Sequence, residues 1–215
     1  MNISVYIIYM DNINEDVIAH QKRVLQNLCA NAQVNYAKTE GTHADAMDYI
    51  MRTATTDVVV FLDVDAIPLT TDAVRFLANK AYTSNTIAGA PQRANHIDND
   101  KHIYVGPCVL AIPTALYKQI RQPSARETWR GDVAEEWTYA TEYYRNKPFF
   151  LDVMHYEREP HGETWHLRDG DKFGLNTTYG YNGVEMFFHA FQGRYKSQQQ
   201  AFIDKCKSVL INPEH

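Results

Sequence analysis

Two aspartates separated by a single valine follow an apolar run in the stretch VVVFLDVDAIPL. The run, residues 58–62, is typical of a buried strand, which excludes a charge that has no partner. Because Asp63 and Asp65 are two residues apart, both carboxylates would point the same way from an extended segment and could bind one ligand. Mg²⁺ and Mn²⁺ take oxygen ligands and often join one or two carboxylates to substrate phosphates. The alternative is an Asp-rich turn in which Asp65 accepts hydrogen bonds from backbone amides.

A second acidic cluster, Asp132, Glu135 and Glu136, opens a segment with helical spacing. The apolar face of that helix is predicted from Val133, Trp137, Ala140 and Tyr144. At about 100° per residue, Glu136 borders this face, Glu135 points away from it and Asp132 lies between. A partly desolvated carboxyl group has a raised pKa and suits a general base, which ranks Glu136 before Glu135 and Asp132. The alternative is that the acids only stabilise the helix N-terminus, by about 0.3–1 kcal/mol each.

His189 lies inside the apolar segment MFFHAF, and Arg194 and Lys196 follow it. A single histidine in such a strand is either a hydrogen-bonded core residue or a metal ligand. The two cations could neutralise a leaving diphosphate, or they could form a solvated basic turn.

The first 80 residues alternate between apolar, β-branched runs and segments with helical spacing. The runs predict strands at residues 3–9, 34–37 and 57–62, each followed by a helix. This alternation predicts a parallel sheet covered by helices on both faces. In such open sheets, ligands bind beyond the carboxyl ends of the strands, which is where Asp63 and Asp65 lie.

The later segments follow a looser order. Strands are predicted at residues 86–90, 104–112, 149–153 and 186–191, and helices at 114–120, 132–145 and around 201–210. Residues 155–183 are rich in Gly, charge and aromatic side chains and show no clear period. No internal repeat or low-complexity linker divides the chain, which predicts one domain over residues 1–215.

The composition is that of an ordinary globular protein. The chain has 215 residues, 45% apolar and 22% charged, with a net charge of −5, which does not indicate a surface for polyanions. Three scattered cysteines without CxxC spacing are typical of reduced thiols in the cytoplasm. No apolar run approaches the roughly 20 residues of a membrane span, and the apolar N-terminus lacks a preceding basic residue. We therefore expect a cytoplasmic protein with no membrane segment and no signal peptide.

Two protein families carry a buried strand that ends in D-x-D. In the haloacid-dehalogenase-like phosphatases the first Asp is a nucleophile, and a Thr or Val follows two residues after the second. Ile67 occupies that position here, and the motif follows the third predicted strand instead of the first. The segment HADAMDYIMRTATTDVVVFLDVDAIPL more closely resembles the nucleotide-diphosphosugar glycosyltransferases of the GT-A fold, in particular small family-2-like members.

The resemblance covers much of the first 120 or so residues as a pattern, and it implies a fold and an activity. The implied fold is α/β and GT-A-like (Rossmann-like), with a mixed, mainly parallel sheet flanked by helices in a single domain. Residues 1–120 would bind the nucleotide-sugar donor, and residues 121–215 would form the acceptor half with a closing helix. The implied activity is metal-dependent transfer of a sugar from a nucleotide-diphosphate sugar to an acceptor hydroxyl.

The resemblance also implies roles for individual residues. A divalent cation, Mn²⁺ or Mg²⁺, would be held by Asp63, by Asp65 as the more direct ligand, and by His189. Contacts with the nucleotide diphosphate are implied for Tyr9, Asp11, Glu40, Asp45 and Asp63, and Arg194 and Lys196 could join them. The helix before the third strand opens with His-Ala-Asp instead of the Asn-x-x-Arg that is common in family 2. The alternative for Asp11 and Glu40 is that they are ordinary loop residues, and Asp45 also suits a helix N-terminus.

On the acceptor side, Glu135-Glu136-Trp137 resembles the acidic pair that inverting family members place near the acceptor. The segment YVGPCVLAI resembles the stretch before the acceptor site, where Gly106 would let a sugar approach the backbone or would simply form a bend. The resemblance also implies that residues 155–183 form a mobile acceptor loop, whose aromatic side chains would stack on a sugar or a base.

Several alternatives stay open at this point. The acceptor could be a glycan, a small molecule or a modified nucleic-acid base, although the acidic net charge gives the last no support. The donor sugar, the stereochemistry and the oligomeric state are not specified by the sequence. A haloacid-dehalogenase-like phosphatase and a non-catalytic glycan-binding module are the alternative functions. A sugar nucleotidylyltransferase would need a Gly-rich loop after the first strand, where this chain has Tyr9-Met10-Asp11-Asn12.

Overall fold

A computed structural model describes residues 1–98, 100–158, 165–168, 170–191 and 195–211 of the chain. Its strands are β1 (Ile3–Tyr9), β2 (Gln33–Lys38), β3 (Val58–Asp63), β4 (Ala66–Pro68), β5 (Ala88–Gln92), β6 (Tyr104–Pro113), β7 (Phe149–Phe150), β8 (Asp152–Glu157), β9 (Trp165–His166), β10 (Lys172–Phe173), β11 (Leu175–Tyr181) and β12 (Val184–His189). Its helices are α1 (Glu15–Leu28), α2 (His43–Thr53), α3 (Ala73–Thr83), α4 (Thr114–Gln119), α5 (Glu135–Tyr143) and α6 (Lys196–Ile211). Within these ranges, no helix combines the length and the apolar character that crossing a membrane requires.

A six-stranded sheet in the order β2-β1-β3-β6-β5-β7 lies at the centre of the fold. Strand β1 pairs in parallel with β2 and β3, whereas β6 runs antiparallel to both β3 and β5. The pairing of β5 with the short edge strand β7 is again parallel. The predicted α/β class, with a mixed sheet between helices, is therefore confirmed.

The two faces of this sheet account for the apolar run of β3. Val58, Val60 and Leu62 belong to one hydrophobic cluster, together with side chains of α1, α3 and α6. Val59 and Phe61 belong to the other, together with side chains of α2, α4 and α5. All five side chains are at most 1% exposed. A carboxylate buried among them would lose its hydration, so the first aspartate comes only where the strand ends.

A second sheet, in the order β4-β12-β11-β8, is entirely antiparallel and is absent from the sequence prediction. Within residues 155–183, where the sequence shows no period, β8 ends and β9, β10 and β11 form. The apolar pattern misses β11 because its buried positions include Thr177 and Thr178. The first strand of this sheet, β4, directly follows the D-x-D motif, so the sheet connects the motif with the last third of the chain.

Helix α5 begins later than the sequence predicts, at Glu135 instead of residue 132. The residue before it, Ala134, has a φ of 64°, a left-handed conformation that side chains with a Cβ seldom adopt. Residues 132–134 therefore form a turn and do not share the helical phase. The buried face of α5 includes Trp137, Thr138 and Thr141, and the predicted apolar residues Val133, Ala140 and Tyr144 pack half-buried against the same core cluster as Trp137.

Candidate active site

The D-x-D turn is held by a buried glutamine from α1. The Gln21 side-chain amide donates hydrogen bonds to the carbonyl oxygens of Asp63 and Ala66, both at 2.7 Å. Gln21 itself is fully buried. These two bonds tie both ends of the turn to one rigid helix, which fixes the backbone that carries the two aspartates.

Strand pairing brings His189 to the same turn. In the pairing of β12 with β4, His189 lies opposite Ala66, and the Ala190 N–H donates to the Asp65 carbonyl at 3.0 Å. His189 Nε2 is consequently 3.1 Å from Asp65 Oδ1 and 3.6 Å from Asp63 Oδ2. The histidine is only 3% exposed. The structure thus brings together the three residues that the sequence analysis assigns to a metal.

The electrostatics of this triad favour an added positive charge. Burial raises the pKa of Asp63. The nearby His43 and His189 lower that pKa, and the neighbouring Asp65 raises it. His43, at the start of α2, lies with its Nδ1 3.8 Å from Asp63 Oδ1. Burial lowers the pKa of His189, but the nearby Cys108 and Asp65 raise it more, so the net shift is well upward. The Asp65 carboxylate therefore favours a proton on the imidazole, as it would favour a cation bound beside it.

The donor set fits a divalent cation. One ligand atom from each of Asp63, Asp65 and His189 lies within 4.8 Å of the others. Two carboxylate oxygens suit Mn²⁺ and Mg²⁺ alike, and an imidazole nitrogen is a better ligand for Mn²⁺ than for the strongly oxygen-selective Mg²⁺. These three residues could hold such an ion beside the carboxyl end of β3.

A pocket of about 380 Å³ opens next to the triad, and we call it the aromatic pocket. It is lined by Gln92, Arg93, Asn95, His96, Tyr104, Asp132, Trp165, Phe173 and Phe191. The Phe191 ring packs against the His189 ring with centroids 3.8 Å apart, so the pocket and the triad share a wall. The rings of Trp165, Phe173 and Phe191 lie mutually within 5.4–5.5 Å. Such an apolar wall beside a few polar groups is typical of a small-molecule site.

Asp132 is the member of the acidic cluster that lines this pocket. Its Oδ2 accepts a hydrogen bond from the Tyr104 hydroxyl at 3.2 Å, and its Oδ1 accepts one from the Val133 N–H at 2.7 Å. The side chain is half-buried. A carboxylate held in this way on the wall of a pocket can accept a proton from a bound molecule.

Glu135 does not point away from the protein, as the helical phase predicts, but is 0% exposed. Its Oε1 lies 2.7 Å from His102 Nδ1, and its Oε2 accepts a hydrogen bond from the Asp132 N–H at 2.9 Å. Glu135 is three residues from the buried Thr138, so the two share one face of α5. The expectation of an exposed Glu135 is therefore wrong.

Glu136 has a lowered pKa, which contradicts the reason for ranking it first as a base. Arg130 donates to it from Nε at 2.8 Å and from Nη2 at 2.6 Å, and the Thr128 hydroxyl donates at 3.0 Å. The hydrogen bond from Arg130 is the main cause of the lowered pKa. A carboxylate already paired in this way is a weaker proton acceptor.

The residues assigned to the nucleotide follow the carboxyl ends of β1 and β2. Tyr9 lies opposite Lys38 in the parallel pairing, and Lys38 forms an ion pair with Asp11. Asp45 instead pairs with Arg126 at 2.5 Å, which lowers the pKa of Asp45. Glu40 is exposed. The described contacts of Asp11 and Asp45 are thus with Lys38 and Arg126.

The structure describes only one of the two basic residues that follow His189. Lys196 is exposed at the first residue of α6. Arg194 lies outside the described residues.

Several residues of the site were not predicted from the sequence. Gln21 occupies a core position of α1, among Val17, Val24, Leu25 and Leu28. A polar residue at such a position signals a buried hydrogen bond, and this signal could have found it. His102 and Tyr104 carry no comparable signal, since their partners are some 30 residues away in sequence.

The comparisons with known proteins agree with this geometry at the level of the fold. No protein-family model matches the sequence, and no curated protein is significantly similar to it. Among solved structures, a mannosyltransferase from Pyrobaculum calidifontis in complex with GDP-Man and Mn²⁺ has a TM-score of 0.50 and 10% identity. That match covers 69% of this chain and 54% of the mannosyltransferase.

Two further matches are weaker. A mutant of the Drosophila β1,4-galactosyltransferase 7, in complex with manganese, UDP-Gal and xylobiose, has a TM-score of 0.48 and 15% identity, covering 70% of this chain and 65% of that one. A glycosyltransferase involved in the glycosylation of the major capsid of PBCV-1 has a TM-score of 0.44 and 9% identity, covering 70% and 80%. The chain spans less than two thirds of the first two structures. At these identities the likeness concerns the fold, and the fold is GT-A-like, as the sequence resemblance implied.

Proposed function

We propose that the protein is a metal-dependent glycosyltransferase that moves a sugar from a nucleotide-diphosphate sugar to an acceptor hydroxyl. The observation that carries the proposal is the convergence of Asp63, Asp65 and His189 at the end of β3, beside the aromatic pocket. In a GT-A-like fold, this is the edge of the sheet where a ligand binds. The cation would be Mn²⁺ or Mg²⁺, and when bound it would supply positive charge to the diphosphate leaving group.

The donor and the acceptor would occupy adjoining parts of the site. The nucleotide would lie over the ends of β1 and β2, where Tyr9, Asp11 and Glu40 are found. The acceptor would enter the aromatic pocket, where Trp165 and Phe191 offer ring faces on which a sugar or a base can stack. The volume of about 380 Å³ suits one monosaccharide-sized group, with the remainder of a larger acceptor outside.

We propose Asp132 as the general base, in place of the Glu136 that the sequence favours. Among the three acids, Asp132 lines the pocket, Glu135 is buried, and Glu136 is paired with Arg130. In an inverting transfer, the acceptor oxygen would form a bond to the anomeric carbon, and the bond from that carbon to the diphosphate oxygen would break. The acceptor proton would go to the Asp132 carboxylate, and the nucleoside diphosphate would leave.

The test is thermal melting of the protein with UDP-, GDP-, dTDP- and ADP-sugars, each with and without Mn²⁺. A donor at about 100 times its dissociation constant should add about 2.7 kcal/mol of stability, and only when Mn²⁺ is present. The Asp65→Asn variant is the control, because it keeps the shape of the turn and removes one ligand charge. If no nucleotide sugar stabilises the wild-type protein with Mn²⁺, the proposed function is wrong.

Product analysis separates this function from its two rivals. A glycosyltransferase releases a nucleoside diphosphate and leaves phosphomonoesters intact. A haloacid-dehalogenase-like phosphatase would release inorganic phosphate and carry a phosphoryl group on Asp63. A glycan-binding module would bind the acceptor without releasing any nucleotide.

A further inference from the structure

We infer that His102 and Glu135 are positioning residues that hold Asp132 in place on the wall of the aromatic pocket. The inference rests on the proposed function, because it is Asp132 that would take the acceptor proton. Neither His102 nor Glu135 lines the pocket, so both would act through Asp132.

The Glu135 carboxylate connects the other two residues directly. One oxygen accepts the Asp132 N–H at 2.9 Å, and the other lies 2.7 Å from His102 Nδ1. A carboxylate that is 0% exposed is costly unless it is hydrogen-bonded and faces a positive charge. The contact with His102 places such a charge beside the carboxylate that holds the turn before α5.

The geometry of His102 is that of an imidazolium ion. Nδ1 faces Glu135 Oε1 at 2.7 Å, and Nε2 faces Glu142 Oε2 at 3.0 Å. A neutral imidazole carries one N–H, whereas a contact with a carboxylate at each nitrogen requires two. The ring also stacks on Tyr139, with centroids 3.8 Å apart and planes 11° from parallel. Burial lowers the pKa of His102, but the hydrogen bonds to Glu135 and Glu142 raise it more, to about 9.

Several other ionisable groups surround His102 and Glu135. Helix α5 contributes Glu135, Glu136, Tyr139 and Glu142, the turn before it contributes Asp132 and Arg130, and the neighbouring chain contributes Lys101 and Tyr104. Arg130 lies over the Tyr139 ring and forms two hydrogen bonds with Glu136. When His102 loses its proton, the Glu135 carboxylate no longer has an imidazolium ion facing it at 2.7 Å.

The same contact also holds a wall of the pocket. His102 is the last residue but one of the segment 93–103, in which every residue except Asn99 is described. Arg93, Asn95 and His96 of this segment line the aromatic pocket. The contact of His102 with α5 therefore ties this segment to the element that carries Asp132.

The test is amide hydrogen exchange at Asp132 in the metal-free, full-length protein between pH 6.5 and 9.5. Rates are converted to protection factors, so that the intrinsic pH dependence of exchange cancels. In the wild-type protein, we expect protection of the Asp132 amide to fall as the pH passes about 9. In His102→Gln, we expect protection about tenfold lower at pH 7, with no step near pH 9.

A matched control and a milder variant complete the test. His155→Gln changes another His–Glu pair, whose Nε2–Oε1 distance is 3.2 Å, on the exposed surface of the second sheet, and it should leave Asp132 unchanged. If His102→Gln does not fold, Glu142→Gln removes one of the two carboxylates, and the step should move to lower pH. Equal protection of Asp132 at every pH in the wild type and in either variant would overturn the inference.

A Mn²⁺ titration of the same samples separates the inference from the proposed function. His102→Gln and Glu142→Gln should bind Mn²⁺ as tightly as the wild type, because neither residue contacts the triad. A wild-type protein that binds no Mn²⁺ would refute the proposed function, and the exchange data would still decide whether His102 holds Asp132. A variant that loses both Mn²⁺ binding and protection would show a general loss of structure and overturn the inference.

Discussion

Ala66 in β4 lies opposite His189 in β12, and this one pairing places His189 Nε2 3.1 Å from Asp65 Oδ1. The two residues are more than 120 positions apart in the sequence. The D-x-D motif supplies two carboxylates at a turn, and the second sheet supplies the third ligand atom. The candidate metal site therefore depends on a pairing of short strands as much as on the motif itself.

The first prediction concerns Asp65, which is 8% exposed and closer than Asp63 to His189. Asp65→Asn keeps the shape of the side chain and removes one charged ligand, so Mn²⁺ affinity should fall about 10–100-fold. Asp63→Asn should reduce it less, because Asp63 is more exposed. Isothermal titration with Mn²⁺ measures both, and wild-type affinity in Asp65→Asn would remove that residue from the site.

The second prediction concerns Gln21, whose amide bonds to the carbonyl oxygens of Asp63 and Ala66. Gln21→Leu should leave two buried carbonyl groups unpaired, at a cost of about 1–3 kcal/mol in the free energy of unfolding. Because the turn is then held less firmly, Mn²⁺ affinity should also fall. Urea unfolding and Mn²⁺ titration measure the two effects separately.

Gln198→Leu is the matched control for Gln21→Leu. Gln198 is also a buried glutamine, but it lies in α6, and its Oε1 lacks a hydrogen-bond partner among the described residues. The control should change neither stability nor metal affinity by more than a small amount. A Gln21→Leu variant that unfolds more easily but binds Mn²⁺ normally would limit Gln21 to a structural role.

The third prediction decides between Asp132 and Glu136 as the general base. Asp132→Asn should reduce sugar transfer by about 10²–10⁴-fold, the usual size of a general-base contribution, and leave donor and Mn²⁺ binding intact. Glu136→Gln should have a much smaller effect on rate, because Glu136 is paired with Arg130 outside the pocket lining. Steady-state kinetics with saturating donor measure both. The reverse order of effects would restore Glu136, and no effect in either would indicate a retaining enzyme or another base.

The first half of the fold could be predicted because its elements follow simple periods. The five side chains of residues 58–62 are buried on alternate faces of the sheet, and burial on both faces leaves an apolar run that the sequence displays directly. The position of Asp63 and Asp65 at the end of that strand follows from the same run. His189 could be assigned to the metal only through the family resemblance, since no local pattern links it to Asp65.

A strand is predicted at residues 186–191, where β12 lies, but the second sheet could not be predicted because its strands β4 and β11 show no clear apolar pattern. Strand β4 has three residues and ends at Pro68, and proline within a run argues against a strand. The proline is tolerated because β4 lies at the edge of its sheet, where one side of the backbone needs no partner strand. In β11, the buried Thr177 and Thr178 interrupt the apolar alternation in the same way.

The expected orientation of Glu135 is wrong for a related reason. The buried face of α5 includes two threonines, and Thr138 is buried because its hydroxyl accepts the Val105 N–H at 3.1 Å. A helical phase taken from the apolar residues alone omits these threonines, and with them the side of α5 on which Glu135 is buried. The turn at Ala134 then separates Asp132 from the helical phase altogether. Tertiary hydrogen bonds determine which of the three acids faces the pocket, and such bonds produce no periodic pattern in the sequence.

The last prediction concerns the pH dependence of stability that His102 confers. Its pKa is raised from about 6.5 to about 9 in the folded protein, so the folded state binds this proton more tightly than the unfolded chain does. The resulting stabilisation is fully present below about pH 6.5 and is lost as the pH rises through about 9. A shift of this size corresponds to at most about 3 kcal/mol, and the side chain is 14% exposed, so little of it should be screened. Urea unfolding of the wild type and of His102→Gln from pH 6 to pH 10 measures it. The difference in free energy of unfolding should be largest at pH 6 and shrink steadily above pH 6.5, whereas a difference that stays constant with pH would mean that His102 is neutral in the fold.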